Sequence, residues 1–379
     1  MKRNSLLPVA FVMIIVVVIG FSCSKSGNSS GPGTGNNNGK DSILMNIGNN
    51  IILPAYQNLA AEVNSLDSAI SDFNTAANST KLSNVQNLFK NAYIAWQSVS
   101  EYNYFGPAST AQPVLSSVNI FPTSTTTIDS NISVNNDNVN TFANTAAKGF
   151  PALDYLLFGG GGNTLTNYTT DPEASNRQKY LAAVSADLKS EVNAVLNAWS
   201  AGGGNYISTF VNGSGNSVSS SLGLLINSMV EDFEILKNDR LGIPLGKIPV
   251  GSISPVLPKE VEAYYSGISV QLALTQLKTE QGIFLGTTEH GNGLGLINYL
   301  IAADAKYGSG LLSDTIKTAF ATDITDLQAV PDPLSQTIQT SPAGADAAFS
   351  QSQKLVALLK SDMPSALGVL ITYGDNDGD

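Results

Sequence analysis

The 379-residue chain holds one cysteine, Cys23, and one histidine, His290. A single cysteine excludes an intramolecular disulfide framework, a cysteine-rich zinc site and a two-cysteine redox pair. A single histidine excludes a metal site built on a histidine pair or triad. Charge is sparse as well: Asp, Glu, Lys and Arg make up 13% of the residues, about half the ordinary share of roughly 25%. Asn, Ser, Thr and Gly fill the gap, which suits an exported protein. Basic residues are the scarcer sign, with a formal net charge of -11 and a pI near 4.5. That balance argues against a nucleic-acid partner, whose phosphates need clustered Lys and Arg. No Gly-x-Ser-x-Gly elbow, Walker A loop or dinucleotide fingerprint is present.

The N-terminus reads as a sorting signal. Met1-Lys2-Arg3 is a basic head, and Leu6 to Phe21 is almost wholly apolar. The run is about 16 residues long, short of the roughly 20 a spanning helix needs. Cys23 closes it in Ile19-Gly20-Phe21-Ser22-Cys23. This resembles the lipobox of bacterial lipoproteins, in which the cysteine is acylated and becomes the first residue. Gly20 stands where Leu is usual, and Phe21 is bulkier than the usual occupant. The other reading is an uncleaved anchor with a free thiol. Cleavage would remove residues 1–22 and take two of the 19 basic residues, leaving 17 against 30 acids, a charge near -13. Residues 23–40 then form the acylated cysteine and a Ser/Gly/Asn-rich tether that cannot build a core. Stable anchoring needs more than one acyl chain. Ser24 after the cysteine resembles the bacterial signal for the outer membrane.

The body reads as all-α. Apolar residues recur at helical spacing at Val85, Leu88, Phe89, Ala92, Trp96 and Val99. They recur at Leu181, Val184, Leu188, Val192, Val195 and Trp199, at Leu222, Leu225, Ile226, Met229, Val230 and Phe233, and at Leu312, Ile316, Ala319, Phe320, Ile324 and Leu327. Breaks carry Gly, Pro and Asn: Gly106-Pro107, Gly159 to Gly162, Gly202 to Gly204, Gly213 to Asn216, and the stretch Pro244 to Pro258. Residues 122–140 read as an ordered loop with short turns. Amphipathic helices must pair their stripes, so helical bundles follow. The glycines around 201–216 suggest two bundle-like halves, 41–210 and 211–379.

Four stretches in order resemble the imelysin family of envelope proteins, also classed as a peptidase family. Trp96 to Pro107 is similar to a tryptophan helix ending in Glu-x-x-x-Phe-Gly-Pro, here Glu101, Phe105, Gly106 and Pro107. Gly149-Phe-Pro151-Ala-Leu-Asp154-Tyr-Leu-Leu-Phe-Gly159 resembles the signature Gly-x-His-x-x-Glu followed by Tyr-Leu-Leu. The third stretch is Asn238-Asp-Arg240-Leu-Gly-Ile-Pro244, continued by Val261-Glu262-Ala-Tyr264-Tyr265-Ser266-Gly267. The fourth is Asp362-Met-Pro-Ser-Ala-Leu-Gly near the C-terminus. The likeness covers roughly residues 42–379. It implies two helical halves with a site between them, in an envelope protein linked to iron uptake, with a divalent or iron ion as the implied metal.

One departure bears on that site. The signature His and Glu lie at i and i+3, on one helix face. Pro151 and Asp154 occupy those positions, and proline offers no ligand atom. From the residues alone, Pro151 suits a first helical turn and Asp154 suits the helix dipole. The resemblance makes Glu101 and Asp154 the metal candidates. It makes Phe105, Gly106, Pro151, Arg240, Glu262, Tyr264 and Ser266 further ligand-binding candidates. The plainer readings are a solvated Glu101, an Arg240 that closes a helix C-terminus, and tyrosines that pack and cap. His290, beside Glu289 in a loop, reads as solvated. Asp375, Asp377 and Asp379 lack the spacing and final bidentate acid of a calcium loop.

Three functions remain. The first is a lipid-anchored protein that binds a metal or a metal-bearing small ligand in a cleft. The second is a metallopeptidase, which needs about three protein ligands around zinc; carboxylates alone suit harder ions better. The third is a non-catalytic envelope scaffold or adhesion module.

Overall fold

In the computed structural model, the backbone is described for residues 37–110, 114–252, 254–288 and 291–372. Cys23 with its signal and tether, Glu289, His290 and the acids at 375, 377 and 379 lie outside the described residues.

Among the described residues, eight helices frame the body: α1 Leu53–Thr75, α2 Ser79–Gln97, α3 Gly149–Phe158, α4 Ala174–Trp199, α5 Ser221–Ile235, α6 Ser269–Leu285, α7 Leu312–Gln328 and α8 Ala343–Ala357. Their starts follow local chemistry. Pro54 sits in the first turn of α1, where its missing N–H costs nothing. The Asn78 side chain caps α2 by accepting from the Lys81 N–H at 3.0 Å, and Ser220 caps α5 through the Gly223 N–H at 3.1 Å. Gly286, with φ of 75°, ends α6 in the left-handed region that favours glycine.

Each stripe is buried. Tyr56, Leu59, Val63, Leu66, Ile70 and Phe73 of α1 face α2 and α4. α3 packs across α2 and α4, and its Phe150 stacks on Tyr93 with ring centroids 4.7 Å apart. α7 packs on α8 and on α6, and α6 also reaches α2. Burying one such side chain contributes about 1.5–3 kcal/mol, so these stripes, and not helix propensity, hold the elements together. Strand is confined, among the described residues, to two antiparallel pairs of two residues each, Thr287–Thr288 with Gly291–Asn292 and Lys306–Tyr307 with Gly310–Leu311.

Two local departures from the sequence reading matter. Residues 122–140 contain a nine-residue helix, Thr125–Ser133. Its stripe is only Ile128 and Ile132, too short to register as a period. The tryptophan helix stops at Gln97 instead of running to Phe105, because Ser98 and Val99 bond back three residues, to Ala95 and Trp96. A 3-10 turn, Ser100–Tyr104, follows and packs against α5.

α5 runs on into a wider turn, Leu236–Gly242, in which the Ile243 N–H bonds five residues back to the Asn238 carbonyl at 2.7 Å. Such π-turns hold an extra residue and are frequent at functional sites. This one leaves Lys237, Arg240 and Leu241 buried together. No helix among the described residues is long and apolar enough to cross a membrane.

Candidate functional site

The site begins at Gly149. Its φ is 72°, and a Cβ there would lie 2.2 Å from the Val118 carbonyl oxygen, so only glycine permits the backbone crossing that opens α3. Pro151 falls in the first turn of α3, as its chemistry requires. Asp154 does not act on its own helix. Its carboxylate leaves α3 and accepts the Tyr265 N–H at 2.8 Å and the Ser266 N–H at 2.9 Å. It thereby fixes a turn bounded by Ala263 and Gly267, whose φ values are 53° and 67°. A left-handed alanine costs about 1–2 kcal/mol, and the carboxylate helps offset it. Burial pushes Asp154 up to about 6, partly opposed by those hydrogen bonds. Replacing Asp154 with Ala would orphan both N–H groups. The expected loss is about 1–3 kcal/mol, read by urea denaturation, with faster amide exchange at Tyr265 and Ser266.

Above this turn lies a pocket of about 490 Å³ lined by Pro151, Asp154, Tyr264, Tyr265 and Lys259. A second, of about 410 Å³, is lined by Tyr104, Asn119, Asp232 and Arg240. Phe121, Pro122 and Glu260 line both, so the two are lobes of one cleft.

Beneath the cleft is a buried polar network. Arg240 pairs with Glu262 at 3.0 Å (Nε to Oε2) and donates from its terminal nitrogen to the Gln276 side-chain oxygen. The Gln276 amide donates to the Asp232 carboxylate at 2.8 Å and to Glu280 at 3.2 Å. The Ser100 hydroxyl also donates to Asp232, at 2.9 Å. The other Glu262 oxygen accepts from Gln97 at 3.0 Å and Asn119 at 2.8 Å. Tyr93 in turn donates to Asn119 at 2.7 Å. Deeper still, Glu101 is only 1% exposed, and among the described residues neither of its carboxyl oxygens has a hydrogen-bond partner; one oxygen of Glu280 also lacks one. The Ser228 hydroxyl donates to the backbone carbonyl of Glu101.

One guanidinium among Glu101, Asp232, Glu262 and Glu280 sets the electrostatics. Burial raises Glu101 well above the usual range, and the nearby Asp232 charge adds to it. Burial likewise raises Glu280, with Asp232 and Glu101 adding. Asp232 is pushed up to about 6 by burial, held back by Arg240 and its hydrogen bonds. Protonation of the deepest acids is how such a cluster avoids stacking negative charge in low dielectric.

The residues singled out in the sequence therefore separate into three groups. Pro151, Asp154, Tyr264 and Arg240 line the cleft, and Glu262 and Ser266 sit directly behind it. Glu101 is sealed in the network and is not a solvated surface acid; Arg240 forms a buried ion pair and does not simply close a helix. Phe105 and Gly106 line neither lobe. Phe105 packs against Tyr102, Trp199 and Phe210, and Gly106, φ 62°, gives way to the Tyr206 ring. No hydrogen bond joins Asp154 to Glu101. Among the described residues, no group of three His, Cys, Asp or Glu side chains is placed to share one metal ion.

Asp232, Gln276 and Glu280 were not singled out in the sequence. Asp232 lies between Met229, Val230 and Phe233 on a buried stripe, and Gln276 and Glu280 lie one turn apart beside Leu277, Ile283 and Phe284. A polar residue at a core position of an amphipathic stripe is the signal they carry.

These features define an all-helical protein with a polar cleft set over a buried ionic network. The sequence profile described as Imelysin matches residues 52–361, and the chain belongs to the imelysin family. Two crystal structures share the fold. One is of a protein named as an iron-regulated protein A precursor from Parabacteroides distasonis, with a TM-score of 0.71 and 15% identity over 89% of this chain and 97% of that one. The other is an imelysin-like protein from Psychrobacter arcticum, with a TM-score of 0.66 and 17% identity over 89% of this chain and 98% of that one. No curated protein matches the chain.

Proposed function

We propose that this imelysin-family protein is a lipid-anchored envelope protein that binds a small metal-bearing ligand in the cleft over Asp154 and Arg240. The observation that carries the reading is convergence. Four residues taken from two of the four stretches meet around one cleft, above a buried ionic network. A buried ion pair is weak support for stability, so its retention beneath an open cleft favours a binding role. The link to iron rests on the name of the Parabacteroides distasonis relative.

The ligand is a metal compound that brings its own coordinating atoms. Both Asp154 oxygens already accept N–H groups and both Glu262 oxygens are engaged. Pro151 contributes no donor. What remains toward the cleft is aromatic surface from Tyr264 and Tyr265, cationic groups in Lys259 and the Arg240 edge, and the acids Asp239 and Glu260. That set suits a polar chelate with a flat face and groups of both charge signs at its edge. Anchoring through Cys23 would hold the body near a membrane, in the outer membrane by its following serine.

Two measurements test the parts separately. Metal analysis of the full chain, purified from membranes of iron-replete cells, should find iron that washes out together with an organic ligand. A Cys23→Ser chain should move from the membrane fraction to the soluble one; retention in the membrane would end the anchoring proposal without touching the binding one.

A further inference from the structure

Away from the cleft, helix α4 and the segment before α3 enclose a more open pocket of about 710 Å³. On its rim stands Phe142, 98% exposed. A phenyl ring left wholly in water is a large apolar surface without a use in the free fold. It is not the tip of a slack loop. The Asn144 N–H and side-chain amide bond to the Thr141 and Asn138 carbonyls at 3.0 and 2.7 Å. Asn131 clamps the Asn144 oxygen at 2.8 Å. The Asn138 and Asn140 N–H groups rest on the side chains of Asn136 and Asn138 at 3.2 and 3.3 Å. The ring is thus held out by a pinned ladder of asparagines.

Below the ring the lining is polar and mostly uncharged: Asn138, Asn140, Thr141, Thr145 and Ser190. Amides and hydroxyls both donate and accept, which matches ligands whose hydroxyls do the same. The one cation, Lys148, is spent on Asp187 at 3.0 Å, and its ammonium also donates to the Asn140 oxygen at 3.3 Å. That bond fixes the orientation of the Asn140 amide. With Asp137 and Glu191 also in the lining, phosphate or carboxylate ligands are repelled. Burial, with the Asp187 charge, raises Glu191 above its ordinary value.

We propose that this pocket is a carbohydrate-binding site, in which one apolar C–H face of a neutral sugar ring stacks on Phe142 while its hydroxyls bond to Asn138, Asn140 and the Lys148–Asp187 pair. The site is independent of the metal-ligand cleft. An oligosaccharide of a few units fits the volume, which lies within the usual range of about 300–1,000 Å³ for small-ligand pockets.

The test applies the detergent-solubilised full chain to an array of neutral gluco-, manno-, xylo- and N-acetylglucosamine oligomers, beside sialylated glycans and a tetralysine peptide. Retention of at least one neutral glycan class is expected. Phe142→Ala should weaken it roughly tenfold, Phe142→Tyr should keep it, and Asn140→Ala should weaken it too. Because the ring packs against little, Phe142→Ala should melt at the same temperature as the native chain, so a loss of binding is not a loss of fold. The proposal is overturned if no neutral glycan is retained, if Phe142→Ala binds as well as the native chain, if the peptide is preferred, or if Phe142→Ala only dissolves a dimer of the native protein.

Discussion

Replacing Arg240 with Met is expected to be the most damaging single change in the network, costing about 3–5 kcal/mol. The methionine fills much of the space but leaves Glu262 buried, still bonded to Gln97 and Asn119, with its cation gone. Gln276 loses its donor as well. A domain's whole stability is about 5–15 kcal/mol, so the loss should shift the urea midpoint strongly with little change in slope. Arg240→Lys should fall between, since an ammonium cannot reproduce the two-sided contact to Glu262 and Gln276. Adding Glu262→Gln to Arg240→Met should recover part of the loss, because it removes the orphaned charge. A midpoint unchanged in Arg240→Met would mean that the pair is solvated and the network is not a sealed unit.

Glu101→Gln is expected to do the opposite and stabilise the protein, increasingly as pH rises. The native state holds the Glu101 proton far more tightly than the unfolded chain, where the ordinary value is 4.5. Below that value both states are protonated and the contribution is fully present. Above it the unfolded chain sheds its proton while the folded chain keeps it, so native stability falls as pH rises toward the raised value. The amide carries no such penalty. Glu101→Gln should therefore gain on the native protein by up to about 1.4 kcal/mol per pH unit between the ordinary value and the raised one, read from urea midpoints between pH 4 and 8. The native curve should itself slope downward from about pH 4 to 7, because Asp154 and Asp232 are raised to about 6 and Asp323 to about 7, in each case chiefly by burial. Parallel curves for Glu101→Gln and the native chain would show that Glu101 is ionised or wet in the fold.

The helices were legible because burial follows a simple period. The stripes ending at Trp199, Phe233 and Leu327 lie in helices ending at Trp199, Ile235 and Gln328. Gly286 closes its helix where its conformational freedom suggests. Boundaries set by competing local bonds were not legible. Asn103, for example, donates its side-chain amide to the Val99 and Ser100 carbonyls, which suits the tight turn that replaces the last stretch of the tryptophan helix. No periodicity encodes that choice.

The site was legible in outline for a different reason. Pro151, Asp154, Arg240 and Tyr264 were found through resemblance, and the fold brings them around one cleft. Their roles were not. Asp154 looked like a metal candidate or a helix-dipole acid, yet it binds the backbone of a turn more than a hundred residues away. Arg240 looked like a helix terminus because its partners, Glu262 and Gln276, are brought to it only by tertiary packing and by the wide turn after α5. Glu101 looked solvated because the polar residues around it hide its burial in the sequence. Long-range hydrogen bonds decide all three cases, and spacing along a chain does not report them.

We propose that the cleft over Asp154 and Arg240 receives a metal-bearing ligand. This is tested most directly by calorimetric titration of the full chain with ferric citrate and with haem, set against Tyr264→Ala, whose half-buried ring lines the cleft without joining the network. Saturable binding of one of these compounds to the native chain is expected, weakened at least roughly tenfold in Tyr264→Ala while its melting temperature stays near native. Absence of heat with both compounds, or equal affinity in Tyr264→Ala, would contradict it.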